Sequence, residues 1–165
     1  MKPIPIRRSE SIMKLSREHH FSLLFCWKIR EGLKKRTAPH RIVQYAQYFW
    51  NDHIEPHFRE EEEILFAPLQ DEMVLKAIEE HAAIREAIEA LAVLPPQNIT
   101  DELAKLADQL DRHVRYEERQ LFPHLEAVLS DAQLESIGAR LNASPSATLK
   151  DDYQDEFWNE KNASL

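Results

Sequence analysis

Apolar residues recur along most of this chain at the three- and four-residue spacing of an amphipathic helix, and the alternating Val/Ile/Thr-rich runs of strands are absent. Ile12, Leu15, His19, Leu23, Cys26 and Leu33 form one stripe, which predicts a first helix from near Ser9 to about Lys35, ended by Thr37-Ala38-Pro39. Val43, Ala46, Trp50, Ile54, His57, Glu61 and Ile64 predict a second, from about His40 to Leu69, bent where Pro56 removes a backbone donor. A third should start after Asp71 as N-cap, carry Val74, Ala77, Ile78, His81, Ile84, Ile88 and Leu91, and stop at Pro95-Pro96. The fourth runs from about Thr100 to Leu129 through Leu103, Leu106, Leu110, His113, Glu117 and Leu121. Short connections between long helices predict an all-α, antiparallel up-down-up-down four-helix bundle.

Beyond the fourth helix, Leu134, Ile137 and Leu141 mark a short amphipathic segment able to cover one end of the bundle. The expected organisation is an N-terminal arm (1–8), the bundle with its short C-terminal helix (9–142), and a loose acidic tail (143–165). That tail is polar with little periodicity, so poor order is the expectation; Phe157 and Trp158 are its two candidate anchors, on the bundle or on a second subunit.

Composition agrees with a helical domain: 165 residues suffice for one closed core, and only 2 are glycine. The net charge of −8 and the lack of a sustained basic stripe argue against a nucleic-acid partner. No apolar run is long enough to span a membrane, and no h-region follows the charged start. A single cysteine, Cys26, rules out an internal disulfide and thiolate-built zinc or iron–sulfur sites. A cytoplasmic protein is the expectation.

The candidate chemistry lies in a pattern that occurs twice. His57-Phe58-Arg59-Glu60-Glu61-Glu62-Glu63-Ile64-Leu65-Phe66 and His113-Val114-Arg115-Tyr116-Glu117-Glu118-Arg119-Gln120-Leu121-Phe122 both read H-x-R-x-E-E-x-x-L-F. Residues four apart share a helix face, so each copy presents an imidazole beside a carboxylate, a metal-ligand pair. The first helix of each hairpin adds a histidine preceded by glutamate, Glu18-His19 and Glu80-His81. This match favours His19 over its neighbour His20. Four imidazoles and two carboxylates from four helices suit paired iron or manganese better than magnesium or structural zinc.

His53 is expected at the solvent edge, His124 too far along the axis to join the site, and Cys26 a small buried thiol. Glu61 is the inward member of the Glu60–Glu63 run; Glu62 and Glu63 are expected on a solvated acidic face. Tyr116 is expected to pack in the core.

Over roughly residues 9–130 the chain resembles the hemerythrin-like family, also called the hemerythrin HHE cation-binding domain. HFREEEEILF and HVRYEERQLF carry the resemblance, supported by EHH on the first helix and EEH on the third. It implies a four-helix bundle with a non-haem di-iron centre, its two iron ions held by His19, His57, Glu61, His81, His113 and Glu117, with Glu61 and Glu117 bridging. Oxygen carriers of the family have a second histidine where this chain has Arg85, and an aspartate five residues after the fourth-helix histidine where this chain has Glu117 four residues after His113. The arrangement is closer to the bacterial and regulatory members. The implied function is binding or sensing of O2 or NO, or handling of iron, with iron ahead of manganese or zinc. Iron–sulfur repair or peroxide consumption is the enzymatic alternative, and a metal-stapled interaction module the structural one.

Overall fold

The computed structural model describes residues 8–144 and 151–159, and all regular structure among them is helical. Residues 1–7 of the expected arm, and 145–150 and 160–165 of the expected tail, lie outside the described residues. After a 3-10 turn (Glu10–Ile12), α1 spans Met13–Lys34. The second rod joins α2 (Pro39–Phe49), a π-helical turn (Trp50–Ile54), α3 (Glu55–Glu60) and a second π turn (Glu61–Leu65). The third rod is α4 (Glu72–Ala90). The fourth joins α5 (Pro96–Tyr116), a π turn (Glu117–Leu121) and α6 (Phe122–Val128), and α7 (Asp131–Ala143) follows.

Local chemistry explains most boundaries. Asp71 caps α4 by accepting from the Val74 N–H, as its position predicts, and Ser130 with Gln133 forms a capping box on α7. Proline acts at three others. Pro56 does not end its helix: the wider π turn just before it accommodates the missing donor, and the rod continues as α3. Pro123 stands in the same relation to the π turn at Glu117–Leu121. Pro95-Pro96 was expected only to end the third helix; Pro96 instead opens α5, four residues before Thr100, because its fixed φ suits a first helical turn.

The bundle holds two apolar clusters. One includes Phe25, Ile29, Phe49, Ile54, Phe58, Ile84 and Leu110; the other includes Leu15, Leu65, Phe66, Val74, Ala77, Leu121 and Phe122. On every rod a histidine falls between a residue of one cluster and a residue of the other, so the candidate ligands form a polar layer across the bundle. As expected, α7 covers one end, placing Ile137 and Leu141 in the second cluster.

The opposite end corrects the expectation of a loose tail. Residues 151–159 pack on α1 and α2, with Phe157 fully buried and Trp158 nearly so. Lys28 sits 4.1 Å above the Trp158 ring and pairs with Asp151 at 2.7 Å, Arg41 pairs with Asp155 at 2.5 Å, and Lys35 donates to the Trp158 carbonyl. Gly32 makes room, since a Cβ there would meet the Phe157 ring at 2.6 Å. The segment reads as polar because its carboxylates match cations that only the fold brings together. Arg8 likewise belongs to the bundle rather than to an arm: it is buried and bonds Glu118 and Glu126.

Candidate metal centre

Each repeat delivers its pair from the point where an α-helix gives way to a π turn. Glu61 and Glu117 each begin such a turn, and the Phe66 N–H reaches back to the Glu61 carbonyl at 2.8 Å. Extra backbone of this kind is common at functional sites, where it reorients side chains within a continuous helix.

All six predicted side chains come together. His19, His57, Glu61 and Glu117 form one group, and Glu61, His81, His113 and Glu117 a second; within each, the candidate donor atoms lie within 4.8 Å of one another. Glu61 and Glu117 belong to both groups. Their inner contacts are close: His57 Nε2 to Glu61 Oε1 at 3.2 Å, His81 Nε2 to the same oxygen at 3.3 Å, and His113 Nε2 to Glu117 Oε1 at 2.9 Å. His19 Nε2 lies 3.2 Å from Glu117 Oε1.

Outside this layer stands a ring of carboxylates. His57 donates from Nδ1 to Glu18 at 2.8 Å, His113 to Glu80 at 2.9 Å, and His19 to Glu118 at 2.7 Å. Glu62 faces His81 Nδ1 at 3.6 Å, an ion-pair separation too long for a hydrogen bond. The ring obeys the internal repeat. The glutamate before each first-helix histidine serves the histidine of its own hairpin, and the glutamate after each shared carboxylate faces a histidine of the other hairpin. Glu62 is therefore half-buried beside the site rather than on a solvated face, whereas Glu63 is exposed as expected. Glu60 is buried, bonded to Lys14 and Ser144.

These outer bonds fix the rings of His19, His57 and His113 with the Nδ1 proton outward and Nε2 inward; the His81 ring has no such bond and is stacked between Phe58 and Phe66. Glu118 is itself anchored by Ser16 at 2.7 Å and Arg8 at 2.8 Å. Burial opposes its charge, but the bonds from His19, Ser16 and Arg8 prevail and hold its carboxyl down to about 2.

The inward atoms fit a cation. Nε2 of His57, His81 and His113, both oxygens of Glu61 and Oε2 of Glu117 are buried with no aligned hydrogen-bond partner. Such groups are costly to bury unless paired or taken up by an ion, and this many in one layer is compatible with a cation held between them. Burial opposes a charge on His57 and His113, yet facing carboxylates and outer hydrogen bonds outweigh it and raise each to about 9. Burial likewise opposes charge on Glu61, but the surrounding imidazoles hold its carboxyl well below the ordinary range.

The walls are aromatic: Phe58 stacks on His81 with ring centroids 3.8 Å apart, and Phe122 on His19 at 5.1 Å. Arg85 lies with its guanidinium 5.8 Å from the Trp50 ring. Tyr116 donates to the Met73 carbonyl at 2.8 Å, and His124 bonds Asp71 at 2.6 Å, so neither joins the layer. His20 is exposed, and His53 packs against Phe49 and Tyr48. Cys26 is fully buried, which pushes its thiol up to about 12 and leaves it unreactive.

Comparison with known proteins agrees with this geometry. The model of the hemerythrin HHE cation binding domain matches residues 11–125, a span holding all six candidate ligands and Glu18, Glu62, Glu80 and Glu118. Searches of curated proteins and of solved structures returned no match. With two thirds of its length matched, a bundle of the expected kind, and two His/Glu groups sharing their carboxylates at its centre, the chain belongs to the hemerythrin family of cation-binding domains.

Proposed function

We propose that this protein holds a non-haem di-iron centre and uses it to bind or sense a diatomic ligand, O2 or NO. The observation that carries the reading is the sharing of Glu61 and Glu117 between two groups of buried donors. Two imidazoles and one oxygen from each shared carboxylate would serve each ion, a mixed N/O set that suits iron or manganese. When bound, such a pair would supply redox-active metal able to take up a diatomic ligand. The chain's own part is to orient and to enclose. Glu18, Glu80 and Glu118 hold the rings of His57, His113 and His19 with Nε2 inward, and Phe58, Phe66 and Phe122 line the layer with apolar rings.

Protein produced with ample iron and purified without chelator should contain about two irons per chain, as the paired ligand set requires. The reduced form should change its visible absorption on exposure to O2 or NO, reversibly and without turnover. A single zinc per chain, or iron whose spectrum ignores both gases, would overturn the proposal.

The raised imidazoles add a pH signature. His57 lies at about 9 against an ordinary 6.5, so its ion pairs stabilise the metal-free fold fully below 6.5 and are lost as pH rises through about 9. Glu61 sits below its ordinary 4.5, so its share is present above 4.5 and lost as pH falls further. Metal-free protein should melt highest between these limits and lose stability toward pH 9. Metal requires neutral rings, so iron uptake near neutral pH should release protons, and the loaded protein should lack the alkaline decline. A metal-free melting curve flat from pH 6.5 to 9 would contradict the charged-pair description of His57.

A further inference from the structure

The two hairpins carry equivalent ligands but differ in the grooves outside them. The repeat aligns His19 with His81 and His57 with His113, and therefore Lys14 with Lys76, Glu18 with Glu80, Pro56 with Arg112, Glu60 with Tyr116 and Glu63 with Arg119. On the first hairpin the cations aligned with Lys76 and Arg115 are neutralised: Lys14 pairs with Glu60 at 2.8 Å and Arg59 with Glu55 at 2.5 Å, and Glu18 is 8% exposed. On the second, Tyr116 replaces the carboxylate under the lysine, and Lys76 hangs 4.1 Å above its ring. Arginines stand where the first hairpin has Pro56 and Glu63. Arg115 is tied to Asp111 at 2.5 Å, but Arg112 and Arg119 have no ion pair among the described residues.

The result is an open groove of about 500 Å³ along α4 and α5, lined by Lys76, Glu80, Arg112, Arg115, Tyr116 and Arg119. In a chain of net charge −8 this concentration of uncompensated cations is local and one-sided. It also touches the polar layer, because the Glu80 side chain is 32% exposed while bonding His113 at 2.9 Å.

We propose that this groove binds a small oxyanion, a phosphate- or carboxylate-bearing molecule, between Lys76, Arg112 and Arg119. Guanidinium groups present paired donors that match both anions, and the volume is that of a small-molecule site. The overall negative charge disfavours a nucleic-acid polymer as the occupant. A ligand seated there lies beside Glu80, one hydrogen bond from His113.

The test uses the full chain in metal-free and iron-loaded forms, titrated with pyrophosphate and with citrate at fixed ionic strength by calorimetry and by NMR of the arginine side chains. At least one probe should bind saturably at one site per chain in both forms, and the better probe identifies the anion class. Arg112→Gln/Arg119→Gln should weaken binding by about tenfold or more, while Arg17→Gln/Arg59→Gln, which removes the same charge elsewhere, should not. Equal weakening in both variants, or no saturation with either probe, would overturn the site. The metal-free arm needs no iron, so failure of the di-iron reading would leave this result standing.

Discussion

Glu61→Ala and Glu117→Ala are each expected to abolish stable metal binding, lowering the content from about two ions per chain to well below one. Both carboxylates are fully buried, and each belongs to both groups of donors, so one substitution strips an oxygen from both proposed ions. It also leaves imidazoles facing each other without the intervening negative charge: His57 and His81 lose the oxygen they approach at 3.2 and 3.3 Å, or His113 and His19 the one at 2.9 and 3.2 Å. The loss should exceed the roughly 10- to 100-fold in affinity typical when only a supporting residue is removed. Metal analysis after exhaustive buffer exchange reads it, with circular dichroism to verify the helices and the isosteric Glu61→Gln as a fold-preserving companion. Exposed Glu63→Ala should keep its metal. Two ions retained in either alanine variant would remove the shared-carboxylate assignment.

Phe157→Ala should cost about 3–5 kcal/mol, the range for truncating a fully buried phenylalanine. The ring fills a site made for it, against Gly32, with Tyr45 at 5.7 Å and Trp158 at 5.0 Å between centroids. Without it Trp158 loses its neighbour, and the Lys28, Arg41 and Lys35 contacts must hold the segment alone. For a domain of this size the loss corresponds to a Tm lower by roughly 6–20 °C, unless the segment detaches first. Detachment has its own signal, a red shift of Trp158 fluorescence at temperatures where the helices are intact. An unchanged Tm together with unchanged tryptophan emission would mean that this docking contributes nothing to stability.

The fold and the inner layer were legible in the sequence because both are periodic. Helical spacing marked the four rods, and the repeated H-x-R-x-E-E-x-x-L-F singled out the histidine and glutamate that the structure brings inward. The outer ring is marked in the sequence too: the glutamate before His19 and before His81, which distinguishes His19 from His20, also supplies an outer partner, and a second glutamate follows both Glu61 and Glu117. Adjacent helical residues point in different directions, so helical-face reasoning assigns such neighbours to solvent. The π turns beginning at Glu61 and Glu117, and the packing of adjacent rods, bring them back beside a ring. The docked tail was illegible for another reason. Asp151 and Asp155 find Lys28 and Arg41 more than a hundred residues away in the chain, and no local pattern encodes that.

The crossing of the outer carboxylates has a consequence for how the molecule comes into being. Glu18 with His57 and Glu80 with His113 are contacts inside one hairpin. Glu118 with His19 joins residues 99 apart, and both shared carboxylates take partners from the opposite half. Neither half owns a complete pocket. Closing so long a loop costs more chain entropy than closing either hairpin, the complete pocket exists only once the halves have docked, and capture of an ion would serve as a timestamp for completion of the native topology.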